Sequence, residues 1–154
     1  MTDFSTRPAR PQDAAALGAI AEAAGLFPAA AADEMMQPYF QKTTSDLWLV
    51  ADVAGAVAGM CFAREEAFTA GTWNMLALGV QEDARGHGVG AGLVTQLCRS
   101  LRALPARLLI VETSSAAEFD CARAFYAAFG FQSEGRIRDY WDDGDDKVIA
   151  RLRL

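Results

Sequence analysis

The chain has little of what usually carries legible chemistry: one histidine and three cysteines in 154 residues. Cys61, Cys98 and Cys121 are odd in number, form no C-x-x-C pair and have no zinc-type spacing. A disulfide framework and a cysteine-built metal centre are thereby excluded, no metal is expected, and the three read as small core residues in a reducing compartment. Basic residues are scarce, 14 against 20 acidic, for a net charge of −6 and a pI near 4.7. A nucleic-acid binder carries a basic stripe to neutralise phosphates, so no nucleic-acid partner is expected. No apolar run approaches the ~20 residues that span a bilayer. The first ten residues lack the basic, apolar, small-residue order of a secretion signal, which predicts a cytoplasmic location and no membrane partner. Repeats and Pro-, Gly- or Ser-rich linkers are also missing, so residues 1–154 are expected to form a single domain.

What is present is a foldable core. Hydrophobic residues make up 52%, although 31 of the 154 residues are alanine, leaving about a third as large apolar side chains. A chain of this size buries roughly 68–70% of its unfolded surface. Period-2 and period-3.6 patterns divide the sequence in order. A strand is expected over 4–7, and a helix begins near Pro11 and ends at Gly25. A second helix over 33–42 is expected to be interrupted by Pro38. Strands over 46–52 and 56–64 form a hairpin, followed by a strand over 72–80. Leu93, Leu97, Leu101 and Leu104 mark a helix closed by Pro105. A fully apolar strand over 108–111, a helix over 118–129 ending at Gly130, and a strand pair over 131–137 and 147–154 complete the chain. The order βααβββαβαββ predicts an α+β, or mixed α/β, domain.

The densest signal is Arg85-Gly86-His87-Gly88-Val89-Gly90-Ala91-Gly92, between a strand and a helix. There, glycines let backbone amides converge and the helix N-terminus adds partial positive charge, which makes an anion cradle. A nicotinamide-type parse, Gly86-x-Gly88-x-x-Ala91 with Glu112 further on, is possible on paper. It fails because polar residues 81–85 separate strand from glycines and the 42 residues after Glu112 are too few for further βαβ units. No Gly-Lys-Ser/Thr follows, so a P-loop is excluded.

Read as Arg85-x-x-Gly88-x-Gly90, the loop resembles the Q/R-x-x-G-x-G/A pyrophosphate loop of the GNAT superfamily of acyl-CoA-dependent N-acyltransferases. A second match lies downstream, where Ala122-x-x-Phe125-Tyr126-x-x-x-Gly130-Phe131 is similar to the family's A-x-x-L/F-Y-x-x-x-G-F segment. The strand Leu-Leu-Ile-Val-Glu-Thr between them and the element order extend the resemblance over nearly the whole chain. It departs from the pattern at Glu82, where proline is common, and at Phe119, where asparagine is frequent. Thr72-Trp73-Asn74 resembles a Thr-Trp-Asp variant, but Asn74 cannot take up a proton.

The resemblance implies a central, mostly antiparallel mixed sheet flanked by about four helices, and acetyl transfer from acetyl-CoA to a primary amine of a small molecule or peptide. The rival reading is a non-catalytic acyl-CoA-binding sensor. Cofactor contacts are implied at residues Arg85, Gly86, His87, Gly88, Val89, Gly90 and Ala91, and along the main chain of Leu78, Gly79 and Val80, where the pantetheine arm lies like an added strand. Acetyl transfer also needs a proton acceptor for the amine and a proton donor for the departing thiolate. Tyr126 is the implied donor. Glu112, ending a buried strand, is preferred as base over Glu65, Glu66 and Asp139. His87 is read as touching phosphate or solvent. The cluster Asp139, Asp142, Asp143, Asp145 and Asp146 gives a local field that would attract a cationic amine but reads first as a solvated turn. Trp73, Tyr140 and Trp141 are candidate pocket residues. Small members of the family are often dimeric, so a homodimer is expected.

Overall fold

The computed structural model describes residues 3–154. Seven strands form one sheet in the order β1-β2-β3-β4-β5-β7-β6. They are β1 (Phe4–Pro8), β2 (Leu47–Val53), β3 (Ala56–Glu65), β4 (Thr72–Val80), β5 (Leu108–Ser114), β6 (Gln132–Asp142) and β7 (Asp145–Arg153). Only β4 and β5 run parallel. The four α-helices are α1 (Ala14–Ala23), α2 (Ala29–Phe40), α3 (Val89–Arg102) and α4 (Asp120–Phe129). The α+β architecture expected from the sequence is the one observed.

Alternation along β2 and β3 sends their side chains into two cores, whereas β6 is exposed along nearly its whole length. Trp48, Val50, Met60 and Phe62 pack with Leu17, Ile20 and Met36 of α1 and α2. Trp48 and Phe62 stack with ring centroids 4.0 Å apart. Leu49, Ala51, Cys61 and Ala63 point the other way, against Val89, Leu93, Leu97 and Leu101 of α3. Phe125, Tyr126 and Phe129 of α4 close that second core at its edge.

Four features differ from expectation. Helix α2 starts at Ala29, four residues early, because a run of alanines carries no periodic signal yet has the highest helix propensity. Pro38 lies inside α2 without interrupting it, since it sits in the last turn, where only one ladder bond is lost. Strands β6 and β7 run through the acidic segment to a tight turn at Asp143 and Gly144, so the hairpin is longer than the apolar pattern indicates. Strand β5 likewise continues to Ser114, so Glu112 does not end it.

Strand β4 is bulged and only half paired. Phe62 opposes Ala77 while Ala63 opposes Met75, so Leu76 has no partner on β3. The extra residue switches the faces: Trp73 and Met75 point toward α3, whereas Ala77 joins the α1–α2 core. On the other side, pairing with β5 covers Thr72 to Met75 and stops. From Leu76 onward the two strands diverge, and β5 beyond Val111 pairs only with β7. A fork therefore opens in the middle of the sheet.

Candidate functional site

The site is built where the fork meets the glycine loop. Residues 77–80 pair with β3 on one edge only, and their other main-chain edge, with that of Leu76, faces the fork. An unpaired strand edge in a sheet interior is a place for an extended ligand to hydrogen-bond as a strand would. Leu78, Gly79 and Val80 lie on that edge, and the Val80 carbonyl also accepts a bond from Arg85 Nε at 3.0 Å. Arg85 is thus held at the fork's mouth, beside a cavity of about 290 Å3 lined by Ile20, Ala23, Val80, Gln81 and Arg85.

After the short helical turn Glu82–Ala84, the chain enters α3 through Gly86 and Gly88, with φ of 78° and 84°. That left-handed region is adopted by glycine without the steric cost that a Cβ brings. None of the main-chain N–H groups of residues 86–91 finds an acceptor among the described residues, and the first bond of the helix runs from Gly92 N to the Gly88 carbonyl. No side chain caps α3. Six successive donors at a helix N-terminus form an anion site whose own partner must come from outside. His87 is exposed within this loop. Gly92 serves another purpose: a Cβ there would lie 2.3 Å from the Phe4 ring. Gly90 faces Phe125 with ordinary van der Waals room for a methyl, at 3.6 Å.

Tyr126 reaches the fork from the α3 side. Its ring packs edge-on to Phe125 and Phe131, with centroids 5.6 Å away in each case. Its hydroxyl makes no hydrogen bond among the described residues. Burial, with a smaller contribution from Cys61, pushes the phenol up to about 12. Cys61 opposes Leu78 of the fork edge, and Tyr126 packs against the same core as Cys61. A phenol so shifted stays protonated throughout the neutral range and is available as a donor.

Glu112 occupies the opposite face. It forms an ion pair of 2.8 Å with Lys147, which is itself buried and whose ammonium lies 4.2 Å from the Tyr140 ring centroid and 5.9 Å from that of Trp141. Burial alone would depress the lysine, but Glu112 and Tyr140 outweigh it and hold the ammonium above its usual pKa. Such a pairing fixes the carboxylate beside the fork. Sequence reasoning had no means of finding Lys147, because the contact runs diagonally across β5 and β7.

The remaining candidates are not gathered there. Trp73 is a core residue and Glu65 is exposed at the end of β3. The acidic cluster is consumed in holding the β6–β7 turn: Asp139 accepts the Gly144 N–H, Asp145 bonds Ser114, and Asp146 pairs with Arg136. Glu66 does reach the sheet, accepting a 2.8 Å bond from Asn74 Nδ2. Among the described residues no group of three or more His, Cys, Asp or Glu could hold a metal ion. No helix among them is long and apolar enough to cross a membrane.

A donor-rich loop before α3 and a forked parallel strand pair are found together with a matching family, the acetyltransferase (GNAT) domain, over residues 44–133. The chain belongs to the GNAT acetyltransferase family. It is therefore an acyltransferase. A GNAT-family structure from Desulfovibrio desulfuricans superposes with a TM-score of 0.89 at 26% identity, covering 98% of this chain and 99% of that one. A Salmonella typhimurium acetyltransferase-like structure, yncA, holding acetyl-CoA, matches with a TM-score of 0.80 at 19% identity over 98% and 94%. The ribosomal-protein-alanine N-acetyltransferase of Brucella melitensis gives 0.80 at 20% identity over 97% and 99%. These last two share the GNAT fold. No curated protein matches the sequence.

Proposed function

We propose that the chain is an N-acetyltransferase that moves an acetyl group from acetyl-CoA to a primary amine of a small molecule or peptide, by direct attack in a ternary complex. The observation that carries this reading is the continuous row of unmet donors over residues 86–91, leading into the unpaired edge of residues 76–80. A pyrophosphate joined to an extended amide-bearing arm fits both parts, and structural neighbours hold acetyl-CoA or coenzyme A.

The thioester supplies an activated acetyl group and a leaving thiolate. In the loop, the amides of Gly86, His87, Gly88, Val89, Gly90 and Ala91 hold the pyrophosphate, with Arg85 adding a charged contact at the mouth. The main chain of Leu78, Gly79 and Val80 aligns the arm. The bulge leaves Leu76 without a register partner on β3, and its N–H is the group we assign to stabilise charge developing on the acetyl oxygen. Tyr126 donates to the thiolate from one face of the sheet, and Glu112 takes the amine proton from the other. Lys147 holds Glu112 by its ion pair. The outer edge of β6, with Ile137, Tyr140 and Trp141 exposed, is the face for a second copy in a homodimer.

Tyr126→Phe tests the assignment. The ring keeps its packing while the donor is removed, so turnover should fall by about 10²–10⁴-fold with the acetyl-CoA dissociation constant nearly unchanged. Thiol release with an amine panel gives the first quantity and calorimetry the second. A variant that keeps half the turnover, with chemistry rate-limiting, would return Tyr126 to a packing role.

A further inference from the structure

Asn74 carries one of two buried side-chain atoms left without a partner among the described residues, its Oδ1. The residue is 3% exposed, and its Nδ2 donates to Glu66 Oε1 at 2.8 Å. That bond fixes the amide orientation, because the carboxylate accepts only from the NH₂ end. The oxygen is thereby committed to facing away from Glu66. The large majority of buried side-chain polar atoms are paired, so an oriented but unmet acceptor calls for an explanation.

Its place in the fold supplies one. Asn74 stands two residues before the bulge at Leu76 and opposes Ile110 in the last paired stretch before the fork. Trp73 and Met75 point into the α3 core, as do Leu109 and Val111, so Asn74 and Glu112 share the opposite face. One lies at the base of the fork on β4, the other just beyond it on β5. Glu66 is half-buried, so the pair runs from the surface to the covered oxygen.

Resting on the acetyltransferase reading, we infer that Asn74 binds the acceptor: its Oδ1 accepts one N–H of the primary amine, and Glu66 is the positioning residue that keeps the oxygen turned toward it. An attacking neutral amine has N–H groups to spare and one lone pair to aim. An oxygen that accepts a hydrogen bond but cannot take a proton orients the nitrogen without quenching it. The new N–C bond forms as the C–S bond breaks. Glu112 receives the proton lost by nitrogen, and Tyr126 serves the sulfur. Asn74 and Glu112 thus divide between them the orienting and proton-accepting roles.

The experiment measures thiol release from acetyl-CoA with propylamine, spermidine and an alanyl dipeptide as probes, alongside calorimetric acetyl-CoA binding and thermal melting. Asn74→Leu should lose about tenfold in kcat/KM for the amine, as expected for one hydrogen bond. Acetyl-CoA affinity should stay within twofold of wild type. Its melting temperature should hold or rise, because the unmet acceptor is gone; a purely structural asparagine would give the reverse. Glu66→Leu should lower kcat/KM similarly by letting the amide turn, and Glu66→Gln, which still offers an acceptor oxygen to Nδ2, should restore it. Unchanged amine kinetics in Asn74→Leu, or equal losses in both Glu66 variants, overturns the inference while leaving the acetyltransferase reading standing. Failure of the wild-type protein to bind acetyl-CoA, or to acetylate any of the three probes, overturns that reading and the inference with it.

Discussion

At the scale of single residues, polar groups in this protein divide between those that hold the fold and those without a partner among the described residues. Arg7 belongs to the first kind. It bridges Asp13 at 2.7 Å and Asp52 at 2.7 Å, and Asp13 also accepts the Arg10 N–H at 2.7 Å. The Arg7 guanidinium, outweighing the cost of burial, holds the Asp13 carboxyl below its ordinary value of 3.8. A carboxylate depressed in the fold adds stability that is fully present above its unfolded pKa and lost as pH falls through the folded one. Asp13→Asn should therefore cost roughly 1.5–3 kcal/mol at neutral pH, and the gap to wild type should close as pH drops below about 4. Urea denaturation across that range measures it; a gap that persists undiminished at pH 2 would contradict the ion-pair account. Tyr126 belongs to the second kind. Its phenol, pushed up to about 12, stays a donor through the whole range in which the protein folds.

At the scale of elements, the loop before α3 shows that neighbouring glycines serve different ends. Gly86 and Gly88 are required by left-handed backbone. Gly92 is required by the Phe4 ring, which ties β1 to α3. Gly90 is required by neither, and inside a helix a glycine is less favourable than alanine by about 1 kcal/mol. Gly90→Ala should therefore raise the melting temperature by a few degrees without loss of coenzyme A affinity, since its N–H remains. Gly92→Ala should destabilise the protein by about 1–3 kcal/mol through overpacking, again with little change in affinity for the folded fraction. Paired melting and calorimetry decide both. A Gly92→Ala protein of normal stability but weakened affinity would make Gly92 part of the cradle instead. The bulge at Leu76 is the other decisive element, because one extra residue turns Ala77 and Gly79 toward α1 and frees a strand edge that regular pairing would have closed.

At the scale of the whole molecule, the net charge of −6 opposes a polyanionic ligand. Steering by a long-range field is thus unhelpful, and the binding proposed at the loop before α3 would rest on short-range amides and Arg85. Association of coenzyme A, followed by stopped flow, should accelerate or hold steady as salt rises from about 10 mM, where the Debye length is near 30 Å, to about 150 mM. A steep slowing over that interval would reveal a basic funnel absent from the charge pattern described here.

The sequence by itself determined the element order, the two-faced strands and the glycine loop, because these follow from local periodicity and from backbone freedom that only glycine has. Arg85, Gly88 and Tyr126 are legible only through the resemblance of two contiguous segments to the family's motifs; periodicity alone makes Tyr126 a core residue. Helix α2 was read short because alanine is helical without being periodic. Only the tertiary structure decided the fork, which needs β4 to keep its pairing with β3, its neighbour in the chain, while parting from β5, which follows only after α3. It also decided which carboxylates are occupied: Glu112 by Lys147, Asp146 by Arg136, Glu66 by Asn74. Contacts between strands depend on register, and register is set when two cores fill at once, so no pattern along a single strand records them.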